Sequence, residues 1–205
     1  AQGPLVHMVG DADFRPVDIS RIMQSTKIFE GAGTIGGQIK IDTTGNSLAA
    51  MLGQGHGDVK LFMTGGDISA TAGGALTANA LAGTGAVDLT STGSSIDGAT
   101  IKGASIDATA ATTLSLAGGT ATRGDPTARS TGLLTLTNDA ASGAVTGSST
   151  SGAASTSGLT AGGAVTLTAV GPLSANGLTA GGRASLTSSN GDITGTGIQS
   201  QDFVA

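Results

Sequence analysis

The chain has 205 residues, with 36 Gly, 4 Phe and no Trp, Tyr or Cys, too few large side chains to fill a globular core at ordinary density. Only 11% of residues are charged, unlike the charge-rich, aliphatic-poor composition of disordered chains, so the composition points to a narrow aliphatic core extended in one dimension. A net charge of −5 with 9 Lys plus Arg excludes the concentrated basic surface that nucleic acid or anionic membrane demands.

Residues 1–58 carry most of the long side chains. All four Met, three of the four Phe, Glu30 and both His precede residue 64. The stretch Asp18–Phe29 reads as a short helix or two strands, and "GGQIKIDTTGNSLAAML" and "DVKLFM" read as strands. The terminal coil of a stacked fold exposes unpaired backbone and apolar side chains, so 1–58 is expected to be an irregular N-terminal cap or docking region with the first irregular coils, and 59–205 the stack. "GAGTIG" at Gly31–Gly36 matches a dinucleotide-binding pattern, but that motif needs a helix to open at its last glycines. A strand pattern, "GQIKI", follows instead. His56 beside Asp58 in "GQGHGD" reads as a solvent-exposed turn rather than half of a metal site, and no cofactor is expected.

From Gly65 onward the chain repeats. "LTAGG" occurs at Leu159 and again at Leu178, and Leu167 recurs as Leu186. Gly74–Ile101 aligns without a gap on Gly171–Ile198. Leu76, Asn79, Leu81, Gly85, Leu89, Ile96 and Ile101 thereby fall on Leu173, Asn176, Leu178, Gly182, Leu186, Ile193 and Ile198, an offset of about five units of 19–20 residues. Within "AVTLTA", Val165 and Leu167 face one way and Thr166 and Thr168 the other, the period of two expected of a strand. Gly, Asn and Ser fill the intervals, as tight turns require. One unit is about three short strands and three turns, and none buries its apolar face alone. The expected fold is all-β, a parallel β-helix. Its core is Leu76, Leu81, Leu89, Ile96, Ile101, Leu116, Leu136, Leu167, Leu173, Leu178, Leu186, Ile193 and Ile198. The stretch 138–157 keeps Val145 as its only large aliphatic and reads as one thin coil plus a loop.

Across about Gly65–Ser200, the LTA, GG and NGDI elements resemble the repeats of filamentous-haemagglutinin-like adhesins and autotransporter passenger domains of Gram-negative bacteria. The resemblance implies a right-handed β-helix carried to the bacterial outer surface and acting in adhesion or structural display, without catalysis. The absence of Cys suits such export, and no apolar run approaches the length of a membrane span. Implied partners are other envelope or surface proteins, copies of the same chain, or a host receptor or polysaccharide. A polymerising fibre or anchor subunit is the alternative of the same class.

Four constellations of polar residues stand out. Arg123-Gly124-Asp125 is an integrin-type tripeptide between the strands around Leu116 and Leu134. It is expected to be exposed, with Asp125→Ala leaving the fold intact. Asp88, Asp97, Asp107 and Lys102 form the close set that a polysaccharide-cleaving β-helix enzyme would need. Asp58, Asp67 and Asp192 follow glycines, as in calcium-binding repeats, but lack the nonapeptide period and read as turn residues. The hydroxyls flanking the core leucines (Thr90; Thr113 and Ser115; Thr135 and Thr137; Thr166 and Thr168; Ser185 and Thr187) form a grid of the kind ice-binding solenoids use, interrupted by Asp88.

Overall fold

The computed structural model describes residues 6–18, 34–45, 56–64 and 66–205. The described residues form strands and turns with no helix. The repeats close into a β-solenoid of about 7 coils. Coil 1 contains β4 (Ile68–Ala72) and β5 (Leu76–Asn79). Coil 2 contains β6 (Val87–Ser91), β7 (Ile96–Ala99) and β8 (Lys102–Gly103). Coil 3 contains β9 (Ile106–Ala110), β10 (Leu114–Ala117) and β11 (Thr120–Ala121). Coil 4 contains β12 (Thr127–Ser130), β13 (Leu134–Thr137) and β14 (Ala140–Ala141). Coil 5 contains β15 (Val145–Ser149), β16 (Ala154–Ser157) and β17 (Thr160–Ala161). Coil 6 contains β18 (Val165–Ala169), β19 (Leu173–Asn176) and β20 (Thr179–Ala180). Coil 7 contains β21 (Arg183–Ser188) and β22 (Ile193–Thr196), and β23 (Asp202–Val204) follows.

The first strand of each coil, with β23, builds the eight-stranded face 1. The second strands belong to the ten-stranded face 2, and the two-residue third strands form the five-stranded face 3. Neighbouring coils pair in parallel at steps of 18 to 20 residues, as in Ile96↔Leu114, Val87↔Ile106 and Leu134↔Ala154. The step varies because turn length varies: Ala111–Thr113 is one residue shorter than Thr92–Ser95. The expected stretch of unequal coils between Leu76 and Leu173 is therefore real, and both leucines lie on inward positions of face 2.

Alternation places one or two aliphatic side chains inward on most strands of β4–β22. Leu81, Leu89, Ile96, Ile101, Leu116, Leu136, Leu167, Leu173, Leu178 and Leu186 are buried, and Leu76, Ile193 and Ile198 pack against them partly buried. Ile68, Leu114, Leu134 and Leu159 belong to the same cluster, with Val87, Ile106, Val145, Val165 and a set of alanines. Large residues stack directly in one column, Leu76, Ile96, Leu114 and Leu134, while elsewhere a large side chain packs over a glycine of the adjacent coil. A Cβ on Gly98 would lie 2.8 Å from Leu116 Cδ2, and one on Gly147 2.7 Å from Leu167 Cδ2. Coil 5 is the thin coil expected from 138–157, but no loop leaves the stack there. β15 and β16 keep their ladders to the coils on both sides.

Each corner has its own chemistry. Between faces 1 and 2, inward serines replace aliphatics. Ser91 Oγ donates to Gly74 O (2.7 Å) and accepts from Ser94 N, and Ser188 repeats this with Gly171 O (2.9 Å) and Gly191 N. Between faces 2 and 3, each coil turns through one left-handed residue: Ala80, Thr100, Gly118, Asn138, Gly158, Gly177 and Gly197. Gly or Asn enters that region at low cost, whereas a β-branched residue does not.

The N-terminal strands differ from an irregular cap. β1 (Val6–Asp18), β2 (Thr34–Gly45) and β3 (His56–Thr64) form an antiparallel meander that continues face 2. It joins the stack through the parallel pair Val59↔Ala78. In β1 the register shifts between Phe14 and Val17, around Pro16, which has no N–H to offer the ladder. The change from antiparallel to parallel pairing follows β3, which carries Phe62 and Met63, so the 58/59 boundary falls inside a strand. The helix or strand pair expected after Asp18 lies outside the described residues.

Thr100 is the strained member of its corner column, at φ +55° and with a side chain exposed to solvent. Left-handed backbone costs a non-glycine residue about 1–2 kcal/mol, partly offset by the added freedom of an unfolded glycine. Thr100→Gly should therefore raise stability by about 1 kcal/mol, read as a higher midpoint in thermal and urea denaturation. An unchanged or lower midpoint would contradict the corner assignment.

Candidate functional site

The Arg123-Gly124-Asp125 tripeptide lies at the corner between β11 and β12. Arg123 and Asp125 are exposed as expected. The corner is tied down rather than presented on a free loop: Arg123 N and Gly124 N both donate to Ala104 O, at 3.0 and 2.7 Å. Asp125 Oδ1 accepts from Ala144 N of the next coil at 2.7 Å. A Cβ on Gly143 would collide with that oxygen, so Asp in one coil goes with Gly in the next. Asp67 makes the same rung, accepting from Ala86 N at 2.8 Å over Gly85, with no arginine before it. The carboxylate is thus a recurring corner brace. Asp125→Ala would remove the acceptor of a main-chain N–H, a cost to set beside the expectation that the fold stays intact.

The four residues of the carbohydrate-enzyme constellation separate onto three faces. Asp88 and Asp107 are direct partners on face 1, Asp97 is exposed on face 2, and Lys102 is exposed on face 3. Asp107 accepts a hydrogen bond from Thr127 Oγ1. Asp88 is held above the usual carboxylate range, first by loss of solvent around it and then by the charges of Asp107 and Asp67. Among the described residues no three His, Cys, Asp or Glu side chains gather to hold a metal ion. Asp192 is exposed at a turn. His56 and Asp58 fall within β3 rather than on a turn, and Thr34–Gly36 of the glycine-rich segment begin β2, a strand as its sequence suggested.

The hydroxyl grid also divides. Face 1 carries two outward columns. One runs Ser69, Asp88, Asp107, Thr127, Thr146, Thr166, Ser185, and the other Thr71, Thr90, Thr109, Arg129, Ser148, Thr168, Thr187. Ser115, Thr135 and Thr137 belong to face 2, and Thr113 lies on a turn. No single face carries the whole set, because alternation tells inward from outward but not which of three faces a strand joins. The uninterrupted part is the end of face 1 built by β15, β18 and β21.

One inward residue escaped the sequence reading. The corner column Leu81, Ile101, Gly119, Asp139, Leu159, Leu178, Ile198 is aliphatic except at its centre. Asp139 was legible only by aligning "TNDAAS" with "SGLTAG", which puts the carboxylate where Leu159 stands.

Asp125→Ala should lower stability by about 1 kcal/mol, the usual net worth of one hydrogen bond, while Asp125→Asn, which keeps the acceptor oxygen, should stay near the parent. Urea midpoints of the three proteins check this, and an Ala variant as stable as the parent would remove the bracing role. Comparisons with protein-family models, curated protein sequences and solved structures return no match.

Proposed function

We propose that this chain is a segment of a rigid rod displayed on a bacterial cell surface, acting in adhesion or structural display by binding rather than by catalysis. The observation that carries this reading is the unbroken in-register stack on three faces. About 7 coils at a spacing of about 4.8 Å give a body about 35 Å long. Parallel ladders and a continuous aliphatic column resist bending and need no cofactor to hold them. The outward positions are mostly small hydroxyl side chains, which keep an exposed sheet hydrated and leave flat faces for contact. The repeat resemblance supports the surface location and an adhesin-like role, with envelope proteins, further copies of the chain, or a host receptor or polysaccharide as partners. An end-to-end fibre subunit remains the second member of the same mechanical class.

Antibodies against the coil stack should label intact cells that produce the protein, and brief external protease treatment should remove the label. Labelling that requires permeabilised cells would overturn the surface assignment.

A further inference from the structure

Asp139 is 9% exposed at the inward corner of coil 4. The missing side chain of Gly119 in coil 3 leaves room for its carboxylate, and Oδ1 accepts from Gly119 N at 2.5 Å. A Cβ on Gly119 would lie 2.8 Å from that oxygen, so the two exceptions to the aliphatic column form a matched pair. Oδ2 is buried with no hydrogen-bond partner. Beside it lies a cavity of about 30 Å³, lined chiefly by Ile106, Leu116, Leu136, Ala141, Val145 and Leu159. The cavity exists because coils 3 to 5 are thin here, with Gly119, Ala121, Ala141 and Gly147 at inward positions.

No opposite charge reaches this carboxylate. Of the elements packed around it, β9 carries Asp107, bonded to Thr127 on face 1, and β12 carries the exposed Arg129. The turn between β11 and β12 carries Arg123 and Asp125, both exposed. Strands β10, β11, β13, β14, β15 and β17 have no titratable side chain. A buried ionised carboxylate without a partner is far more costly than the neutral acid.

We propose that Asp139 is an acid-locked joint in the rod: with its carboxyl protonated, the corner of coils 3 to 5 stays closed, and on ionisation those coils part locally. The neutral acid keeps the Gly119 bond and leaves one hydroxyl unpaired. The anion leaves a full charge beside an apolar cavity. Burial pushes this carboxyl up from 3.8 to about 7, against the opposing pull of the main chain at Gly119 and Thr137. A folded value above the unfolded one means that the folded state holds the extra proton. The stabilisation is complete below about pH 3.8, is lost as pH rises through about 7, and is flat above that. The joint therefore tightens in acid and loosens in neutral to alkaline medium, using only the stack and independently of where the rod is displayed.

Hydrogen exchange at pH 5 and pH 8, corrected for intrinsic rates, tests this on the parent and on Asp139→Asn, which keeps the Oδ1 acceptor without an ionisable group. In the parent, opening at Gly119–Ala121 and Asn138–Ala141 should increase on the order of a hundredfold between the two pH values. The Asn variant should show little change there, and amides of β18 and β19 should change little in either protein. Equal pH dependence in parent and variant would overturn the proposal. If Asp139→Asn does not fold, carboxyl carbon NMR of the parent decides. An aspartate titrating near 7 whose transition perturbs the Gly119 amide supports the joint, and aspartates that all titrate near 4 overturn it.

Discussion

Everything in this protein follows from one constraint: the main chain of each coil hydrogen-bonds in register to the coils before and after it. Each residue of the stack's ladders therefore touches its counterparts 18 to 20 positions away, and side chains there are selected as columns rather than as individuals. An aliphatic column fills the lumen because no residue there can reach water. Where space is short, bulk in one coil meets its absence in the next, as Gly98 meets Leu116 and Gly147 meets Leu167, while Leu114 stacks directly between Ile96 and Leu134. Corner polarity obeys the same rule. Ser91 and Ser188 spend their hydroxyls on glycine carbonyls of the preceding coil, and Asp67 and Asp125 brace the amides of the following one.

The same constraint sets what a functional site can look like here. A stack of this kind displays chemistry as vertical columns on flat faces, so a useful constellation is one that shares a face, not one that is close in sequence. Asp88 and Asp107 share a face while Asp97 and Lys102 do not. Face 1 offers hydroxyl columns broken by Arg129 and by the carboxylate pair. The tripeptide at Arg123–Asp125 belongs to the bracing system first, since its carboxylate does for coil 5 what Asp67 does for coil 2. On the function proposed above, these columns are the surface of a stiff, displayed body. Asp139 stands apart because it is the ionisable residue of an inward corner column that is otherwise aliphatic or glycine.

Much of this was legible in the sequence and some was not, for identifiable reasons. The alternation of Val165, Thr166, Leu167 and Thr168 told inward from outward correctly, and the match of Leu76 to Leu173 through Ile101 to Ile198 gave both the period and the columns. Sequence alternation cannot assign a strand to one of three faces when turns differ by a residue, so the hydroxyl set looked like one grid. Nor did it separate the antiparallel pairing of β1 to β3 from irregular coils, because a strand's side-chain pattern does not report the direction of its partner. Asp139 was overlooked for a third reason. A charged residue in a stretch poor in aliphatics reads as exposed, and only its column mates Leu159 and Leu178 reveal that it points inward.

The register itself is the claim on which the rest stands, and the cysteine-free chain allows a direct test. Ser148 and Thr168 are cross-coil partners on face 1, and Thr187 is the next residue of that column. Adjacent coils sit about 4.8 Å apart, within the Cα separation a disulfide spans, whereas positions two coils apart, at about 9.6 Å, exceed it. The doubly substituted S148C/T168C protein should close an intramolecular disulfide readily under mild oxidation, and S148C/T187C should remain reduced. Failure of the first pair to close, or closure of the second in the folded protein, would contradict the stacking.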